Sequence, residues 1–69
     1  MPPIEVMVNG ERTAVEPSTS VAAMLEHQGF DLRYAAVAVN EQFVPRAHHP
    51  TQVLRPGDRV EVLMPFAGG

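Results

Sequence analysis

The sequence contains no cysteine and no lysine, and each absence excludes a kind of chemistry. Without cysteine the chain can form no disulfide, no thiolate-bound zinc site and no nucleophilic thiol. Without lysine it has no side-chain amine, although a biased genome composition explains that absence as well. An activated acyl group on this protein therefore cannot be captured by a thiol or an amine of its own side chains.

The sequence also lacks an excess of positive charge and any long hydrophobic run. Its formal net charge is -3 and its arginines are scattered, so we expect no nucleic-acid partner. No apolar run approaches the ~18 residues of a membrane span, and nothing resembles a signal peptide. A chain of 69 residues holds one hydrophobic core. We therefore expect a single domain over residues 1–69 that is monomeric and cytoplasmic, without a membrane partner.

The first residues predict a β-hairpin. Apolar side chains alternate over residues 4–8, which is typical of a strand with one buried face. Asn9-Gly10 follows, and this pair favours a type I′ turn because both central residues need a positive φ. Residues 12–15 are therefore expected to return as the antiparallel partner.

A short helix is predicted over about residues 21–28. Ser20 is the expected N-cap, because apolar residues at helical spacing begin directly after it. Gly29 fits the left-handed position after the helix, and Phe30 is expected to close a Schellman motif against Leu25. The expected buried face of the helix comprises Val21, Met24 and Leu25.

The second half of the sequence predicts three more strands. Residues 35–39 are apolar at every position, so both faces of a strand would be apolar. This fits a strand covered on both faces or one whose small-residue face is open to partners. A short strand at residues 42–44 is limited by Pro45 to a sheet edge or an end. Arg-Pro-Gly-Asp at residues 55–58 is typical of a type II turn, and alternation over residues 60–62 indicates the last strand.

The element order β, β, α, β, β, β indicates an α+β fold. A single short helix needs a sheet to cover, and a mixed five-stranded sheet packed on that helix meets this need. With the first and last strands adjacent and parallel at the sheet centre, the arrangement is a β-grasp. Val21 and Leu25 are expected to pack beneath those two strands.

No catalytic or metal site is predicted among the polar side chains. His48 and His49 are neighbours whose side chains diverge in extended chain, and no cysteine or carboxylate cluster completes a metal site. We expect both histidines in an exposed loop before Pro50. Ser20 and His27 stand two helical turns apart, about 10 Å, which is beyond hydrogen-bond range for a hydrolytic pair.

The most informative segment is Pro-Phe-Ala-Gly-Gly at residues 65–69. Such a glycine-rich ending is compatible with simple fraying. It is also suited to entering a narrow active site, because residues without side chains pass where others clash, and the extended segment reaches about 16 Å. We expect a flexible C-terminal tail over residues 65–69. An adenylated glycyl carboxylate is the least hindered acyl group for attack by a sulfur or nitrogen nucleophile.

Three segments resemble the ThiS family of sulfur carrier proteins in thiamine biosynthesis. They are Val-Asn-Glu-Gln-Phe-Val-Pro-Arg at residues 39–46, the Pro-Gly-Asp turn at residues 56–58 and Ala-Gly-Gly at residues 67–69. The resemblance extends over nearly the whole chain in length and element order, and it is most specific in the second half. It implies a ubiquitin-like β-grasp fold, in agreement with the element order.

The resemblance implies that Gly69 carries the sulfur. In the family, an E1-like adenylyltransferase, ThiF, uses ATP and magnesium to adenylate the C-terminal carboxylate. A sulfur donor such as a cysteine desulfurase then provides the sulfur of a thiocarboxylate, which a thiazole synthase, ThiG, consumes. On this hypothesis the chain binds no cofactor and is a cosubstrate rather than an enzyme, and its Ala67 and Gly68 insert into the partner's active site.

Apolar residues directly before the tail predict a docking surface. Adjacent residues of a strand point to opposite faces, so Leu63, Met64 and Phe66 cannot all enter one core. We expect Met64 to lie in the core, and Leu63 and Phe66 to contact a partner.

Other functions are compatible with the same tail. A sulfur carrier of another pathway, such as the small subunit of molybdopterin synthase, also ends in Gly-Gly, although Val-Pro-Arg at residues 44–46 favours the ThiS family. A ubiquitin-like modifier attaches its tail to other proteins, but without lysine it cannot form chains on its own side chains. A passive interaction module leaves the terminus unmodified.

Overall fold

The computed structural model describes residues 1–65 and arranges them as a sheet with a helix packed on it. Most of the flexible tail predicted over residues 65–69 therefore lies outside the described residues. The strands are β1 (Ile4–Val8), β2 (Glu11–Val15), β3 (Ala36–Val39), β4 (Gln42–Val44) and β5 (Arg59–Leu63). The helix α1 comprises Val21–His27, and a 3-10 turn comprises Arg46–His48.

The strands of the described part form a mixed sheet in the order β2-β1-β5-β3-β4. β1 and β5 run parallel, with Met7 opposite Arg59 and Val8 opposite Val60, and the other neighbouring strands are antiparallel. This confirms the predicted β-grasp arrangement, in which the first and last strands are adjacent in the middle of the sheet. β4 lies at the edge, which accommodates Pro45 at its end.

Two-residue turns with left-handed backbone close both hairpins. Asn9 and Gly10 have φ angles of 51° and 84°, which confirms the type I′ turn predicted between β1 and β2. Asn40 and Glu41 have φ angles of 52° and 70° between β3 and β4. Asparagine adopts such angles more readily than most residues, so each hairpin turn begins with a residue type that favours it.

A type II turn leads into β5. Gly57 has a φ of 84°, and the Asp58 amide donates to the Arg55 carbonyl oxygen at 3.1 Å, as predicted for this segment. The Asp58 side chain accepts a further hydrogen bond from the Arg55 amide at 2.9 Å. The Gly57 amide donates to the Glu5 carbonyl oxygen at 2.8 Å, so the turn also places β5 beside β1.

Both ends of α1 are capped as the sequence predicts. The Ser20 hydroxyl accepts a hydrogen bond from the Ala23 amide at 3.0 Å. At the other end Gly29 has a φ of 82°, and the Phe30 amide donates to the Leu25 carbonyl oxygen at 2.9 Å, which completes the Schellman motif. The helix has seven residues, too few to cross a bilayer, and no longer one occurs within residues 1–65.

The core lies between the sheet and α1. Val21, Met24 and Leu25 are fully buried, which confirms the predicted helix face. Every second residue of the strands packs against this helix face, since successive side chains of a strand point to opposite sides of the sheet. The other buried apolar residues are Val6, Val8, Val15, Ala35, Val37, Val39, Val44, Leu54, Val60 and Val62.

The segment before Pro50 differs from the prediction. His48 is exposed, but His49 is buried, with 4% of its surface accessible. The 3-10 turn brings the His49 ring back to β4, where Nε2 donates to the Val44 carbonyl oxygen at 3.0 Å. The prediction of an exposed loop is therefore wrong for His49, because the carbonyl of an edge strand supplies a partner that the adjacent sequence does not reveal.

Candidate functional site

The small residues of β3 face away from α1. Val37 and Val39 are buried on the helix side, whereas Ala36 and Ala38 alternate with them and are half-buried. Of the two alternatives for this apolar strand, the structure therefore has the second, a small-residue face that no helix covers within the described residues.

Large apolar side chains flank these alanines, and together they form the outer apolar patch, defined as Ala36, Ala38, Phe43 and Leu63. Ala36 pairs with Leu63 and Ala38 pairs with Phe43, so all four lie on one face of the sheet. Phe43 is 69% exposed and Leu63 is 73% exposed. They border an open depression of about 220 Å³ with the alanines in its floor. Such a shape is suited to a partner surface.

The patch borders the start of the tail. Leu63 is the last residue of β5, Met64 is half-buried against the core and Pro65 is exposed. These positions confirm that Met64 packs against the core and that Leu63 lies outside it. Contact of Leu63 with a partner stays a prediction. The other predicted site residues lie outside the described part of the chain; they are Phe66, Ala67, Gly68 and Gly69.

Sequence reasoning misses two residues of this region, Phe43 and Asn9. Phe43 precedes the buried Val44 in a short strand, so strand alternation gives a weak signal for its outward orientation. The sequence assigns Asn9 only to a turn, yet Asn9 lines the same depression as Leu63 and Glu61. No local pattern relates a hairpin turn near the start of the chain to the last strand.

The charged side chains of the described residues form no metal site. Within residues 1–65, no three His, Asp or Glu side chains are grouped so that they could hold a metal ion. Arg33 pairs with Asp31 at 3.1 Å, in the segment between α1 and β3. Hydrogen bonds from the Arg33 side chain, and then from its amide, hold the pKa of Asp31 below its ordinary value of 3.8. The candidate site can therefore bind a partner mainly through apolar contacts, and Glu61 is the charged residue that lines the depression.

The sheet order, with parallel β1 and β5 at its centre and α1 packed on one face, defines a class of protein, the small β-grasp proteins. Residues 5–69 match the ThiS family. The chain therefore belongs to the ThiS family, the sulfur carrier proteins of thiamine biosynthesis.

Relatives agree with this assignment. Sulfur carrier protein ThiS of Thermus thermophilus is 38% identical over 64 residues, which are 93% of this chain and 98% of that protein. A crystal structure of the thiamine biosynthesis protein ThiS from Geobacter metallireducens matches 96% of this chain and 100% of its own, with a TM-score of 0.80 and 26% identity. A thiazole synthase of Paramagnetospirillum magneticum is 30% identical over 66 residues, so this chain, 96% of which is matched, spans 20% of that relative's length.

Proposed function

We propose that this chain carries sulfur as a thiocarboxylate on Gly69 and delivers it for thiazole formation. Family membership supports the carrier role, since residues 5–69 match and include the Gly-Gly sequence. The observation that carries the proposal is the position of the outer apolar patch. Leu63 ends β5 on the exposed face, directly before the segment that leads to Gly69. A partner that covers the patch therefore lies next to the start of the tail at Pro65.

The proposed chemistry replaces one oxygen of a carboxylate by sulfur. An E1-like enzyme of the ThiF kind transfers AMP from ATP to the Gly69 carboxylate, with release of pyrophosphate. A persulfide sulfur from a donor such as a cysteine desulfurase then attacks the glycyl carbon, and AMP leaves with the displaced oxygen, which gives an acyl disulfide with the donor. A second thiol, from the donor or the ThiF-like enzyme, attacks the donor-side sulfur, so that the S–S bond breaks, the thiocarboxylate leaves and the two thiols end as a disulfide. Because the chain has no cysteine and no lysine, it has no side-chain thiol or amine that could attack the adenylate in place of the persulfide.

The outer apolar patch supplies affinity for the partner in this proposal. Phe43 and Leu63 are large and exposed, and burial of each in an interface contributes up to about 2 kcal/mol. The floor between them is formed by Ala36 and Ala38, which lets a partner approach the sheet closely. Catalytic groups then come from the partner, and the chain acts as a cosubstrate.

A relative supports thiazole synthase as the protein that consumes the sulfur. The whole of this chain, apart from a few residues, is similar to one fifth of a protein named thiazole synthase. A carrier-like segment and a thiazole synthase therefore occur in one chain, which is the arrangement expected for proteins that act together. We propose that the present chain meets a separate ThiG-like enzyme through the same patch, in the cytoplasm.

The decisive experiment is the formation of the thiocarboxylate. The protein is incubated with ATP, magnesium, a ThiF-like enzyme from its own source and a sulfur donor. Its intact mass should increase by the difference between sulfur and oxygen, and fragmentation should place the change at Gly69. A variant lacking Gly69 serves as the control and should stay unchanged. A wild-type protein that no such enzyme adenylates contradicts the proposal and favours a passive interaction module.

A further inference from the structure

The end of β5 that leads to the tail continues beyond its neighbour β1. The Asn9 amide donates to the Val60 carbonyl oxygen at 2.8 Å, and the chain then turns away from β5 at the hairpin. β5 itself continues to Leu63. Successive strand residues direct their backbone groups to opposite neighbours, so Val62 faces the β1 side as Val60 does. Its N–H and C=O groups therefore need a partner where β1 no longer provides one.

The Asn9 side chain occupies this place. Its Oδ1 accepts a hydrogen bond from the Val62 amide at 2.8 Å, and its Nδ2 donates to the Val62 carbonyl oxygen at 3.2 Å. The carboxamide thus supplies Val62 with the one acceptor and the one donor that a longer β1 would otherwise supply. Both are partly buried and join residues 53 positions apart in the sequence. A left-handed turn alone does not require these contacts, since Gly10 adopts the same region without a side chain.

We infer that Asn9 is a positioning residue for the tail, an inference that rests on the proposed function. On the β3 side Val37 lies opposite Val62 in the strand register, and on the β1 side Asn9 binds both backbone groups of Val62. Together they fix the direction in which β5 ends, directly before Leu63. Asn9 also lines the depression of the outer apolar patch. It therefore positions the start of the tail, at the end of β5, relative to the surface that binds the partner.

The other end of β5 provides a matched control. Asn40 holds the equivalent position in the second hairpin turn, with a φ of 52° against 51° for Asn9. Its Oδ1 accepts from the Arg59 amide at 3.0 Å, and its Nδ2 donates to the Asp58 side chain at 2.9 Å. Asn40 thus makes two hydrogen bonds at the start of β5, away from the tail. Glycine adopts a positive φ freely, so Asn9→Gly and Asn40→Gly delete the carboxamides and keep both turns.

Amide hydrogen exchange tests the inference in the free protein. Asn9→Gly should accelerate exchange of the Val62 amide by about tenfold or more, because this N–H loses its acceptor. Asn40→Gly should leave Val62 unchanged and accelerate exchange at Arg59. Asn9→Asp keeps an oxygen acceptor but loses the donor, so it should restore part of the protection at Val62. Equal protection of Val62 in the wild type and in Asn9→Gly overturns the inference, and this outcome does not depend on whether a partner enzyme adenylates the protein.

Adenylation kinetics with the ThiF-like enzyme test the consequence for the tail. Asn9→Gly should lower kcat about tenfold and change KM by less than about twofold, because the patch still binds while fewer bound carriers place the tail correctly. Asn40→Gly should keep kcat and KM within about twofold of wild type at equal folded fraction. Equal loss of kcat in both variants, or no loss in either, overturns the inference. A wild-type protein that is never adenylated contradicts the proposed function instead, and hydrogen exchange still decides whether Asn9 fixes the end of β5.

Discussion

The two faces of the sheet use apolar residues for different purposes. The inner face is covered by α1 and contributes buried valines on both β3 and β5. The outer face is charged on β1 and at the start of β5, through Glu5 and Arg59, but it carries the outer apolar patch over β3, β4 and the end of β5. Burial stabilises the inner residues, whereas exposed Phe43 and Leu63 gain nothing comparable from folding. Their exposure is therefore not explained by stability, and we propose that it serves contact with a partner.

The largest expected effect compares leucines on the two faces. Leu25 is fully buried beneath the sheet and Leu63 is 73% exposed. Leu25→Ala should lower the free energy of unfolding by about 3 kcal/mol, which removes most of the stability of a domain this small. Leu63→Ala should change it by less than about 0.5 kcal/mol. Chemical denaturation of both variants provides the measurement, and similar losses from the two substitutions would contradict the division between the faces.

The next effect concerns binding through the outer face. Leu63→Glu places a charge in the patch and should lower kcat/KM for adenylation roughly thirtyfold, as expected for loss of a central apolar contact. The unfolding midpoint should stay nearly unchanged, because the side chain is exposed. Val53→Glu is the control, since Val53 is an apolar residue outside the patch with 48% exposure. If both variants lose activity equally, general charge and not the patch is responsible.

A smaller effect is expected at the cap of the helix that covers the inner face. Ser20→Ala removes the acceptor of the Ala23 amide and should lower the free energy of unfolding by about 1 kcal/mol. Ser20→Asp keeps a side-chain oxygen at this position and should retain most of the stability. Thermal or chemical unfolding compares the variants. An alanine variant as stable as the wild type shows that the cap is dispensable.

The smallest effect is expected at the exposed pair Asp31 and Arg33, which belongs to neither face of the sheet. The folded protein lowers the pKa of Asp31, so the pair adds stability above the pKa of the unfolded state and loses it as pH falls through the lower folded value. Arg33→Ala removes the side-chain hydrogen bonds and keeps the amide, and it should raise the pKa of Asp31 part of the way toward 3.8. NMR titration of the carboxyl group measures this shift. An unchanged titration would mean that the amide alone holds the lowered value.

Much of the fold could be predicted because its rules are local. The positive φ required at Asn9 and Gly10, the cap at Ser20 and the left-handed Gly29 each depend on a few adjacent residues. The positions of β1 and β5 follow from alternation in the same way. Correct local elements then limited the topology, because one short helix and several strands bury a core in few arrangements.

The candidate site was predictable in part. The outward position of Leu63 follows from its place next to Met64, because adjacent strand residues point to opposite faces, and this argument is local as well. The outward position of Phe43 is not predictable, because a strand of three residues gives too little alternation to assign its faces. For the apolar run at residues 35–39 the sequence is compatible with two alternatives, since small residues fit a covered and an open face equally.

Local sequence patterns specify the elements, their turns and caps, and the core-facing residues of α1, β1 and β5, because periodicity and φ preferences act over a few neighbouring residues. Three features emerge only from contacts between distant parts of the chain: which face of β3 stays open, the hydrogen bond of His49 to β4, and the hydrogen bonds of Asn9 to Val62. The physical reason is common to all three cases. Each depends on a backbone group or a sheet neighbour brought near by the fold, and no local preference of the residue specifies that partner.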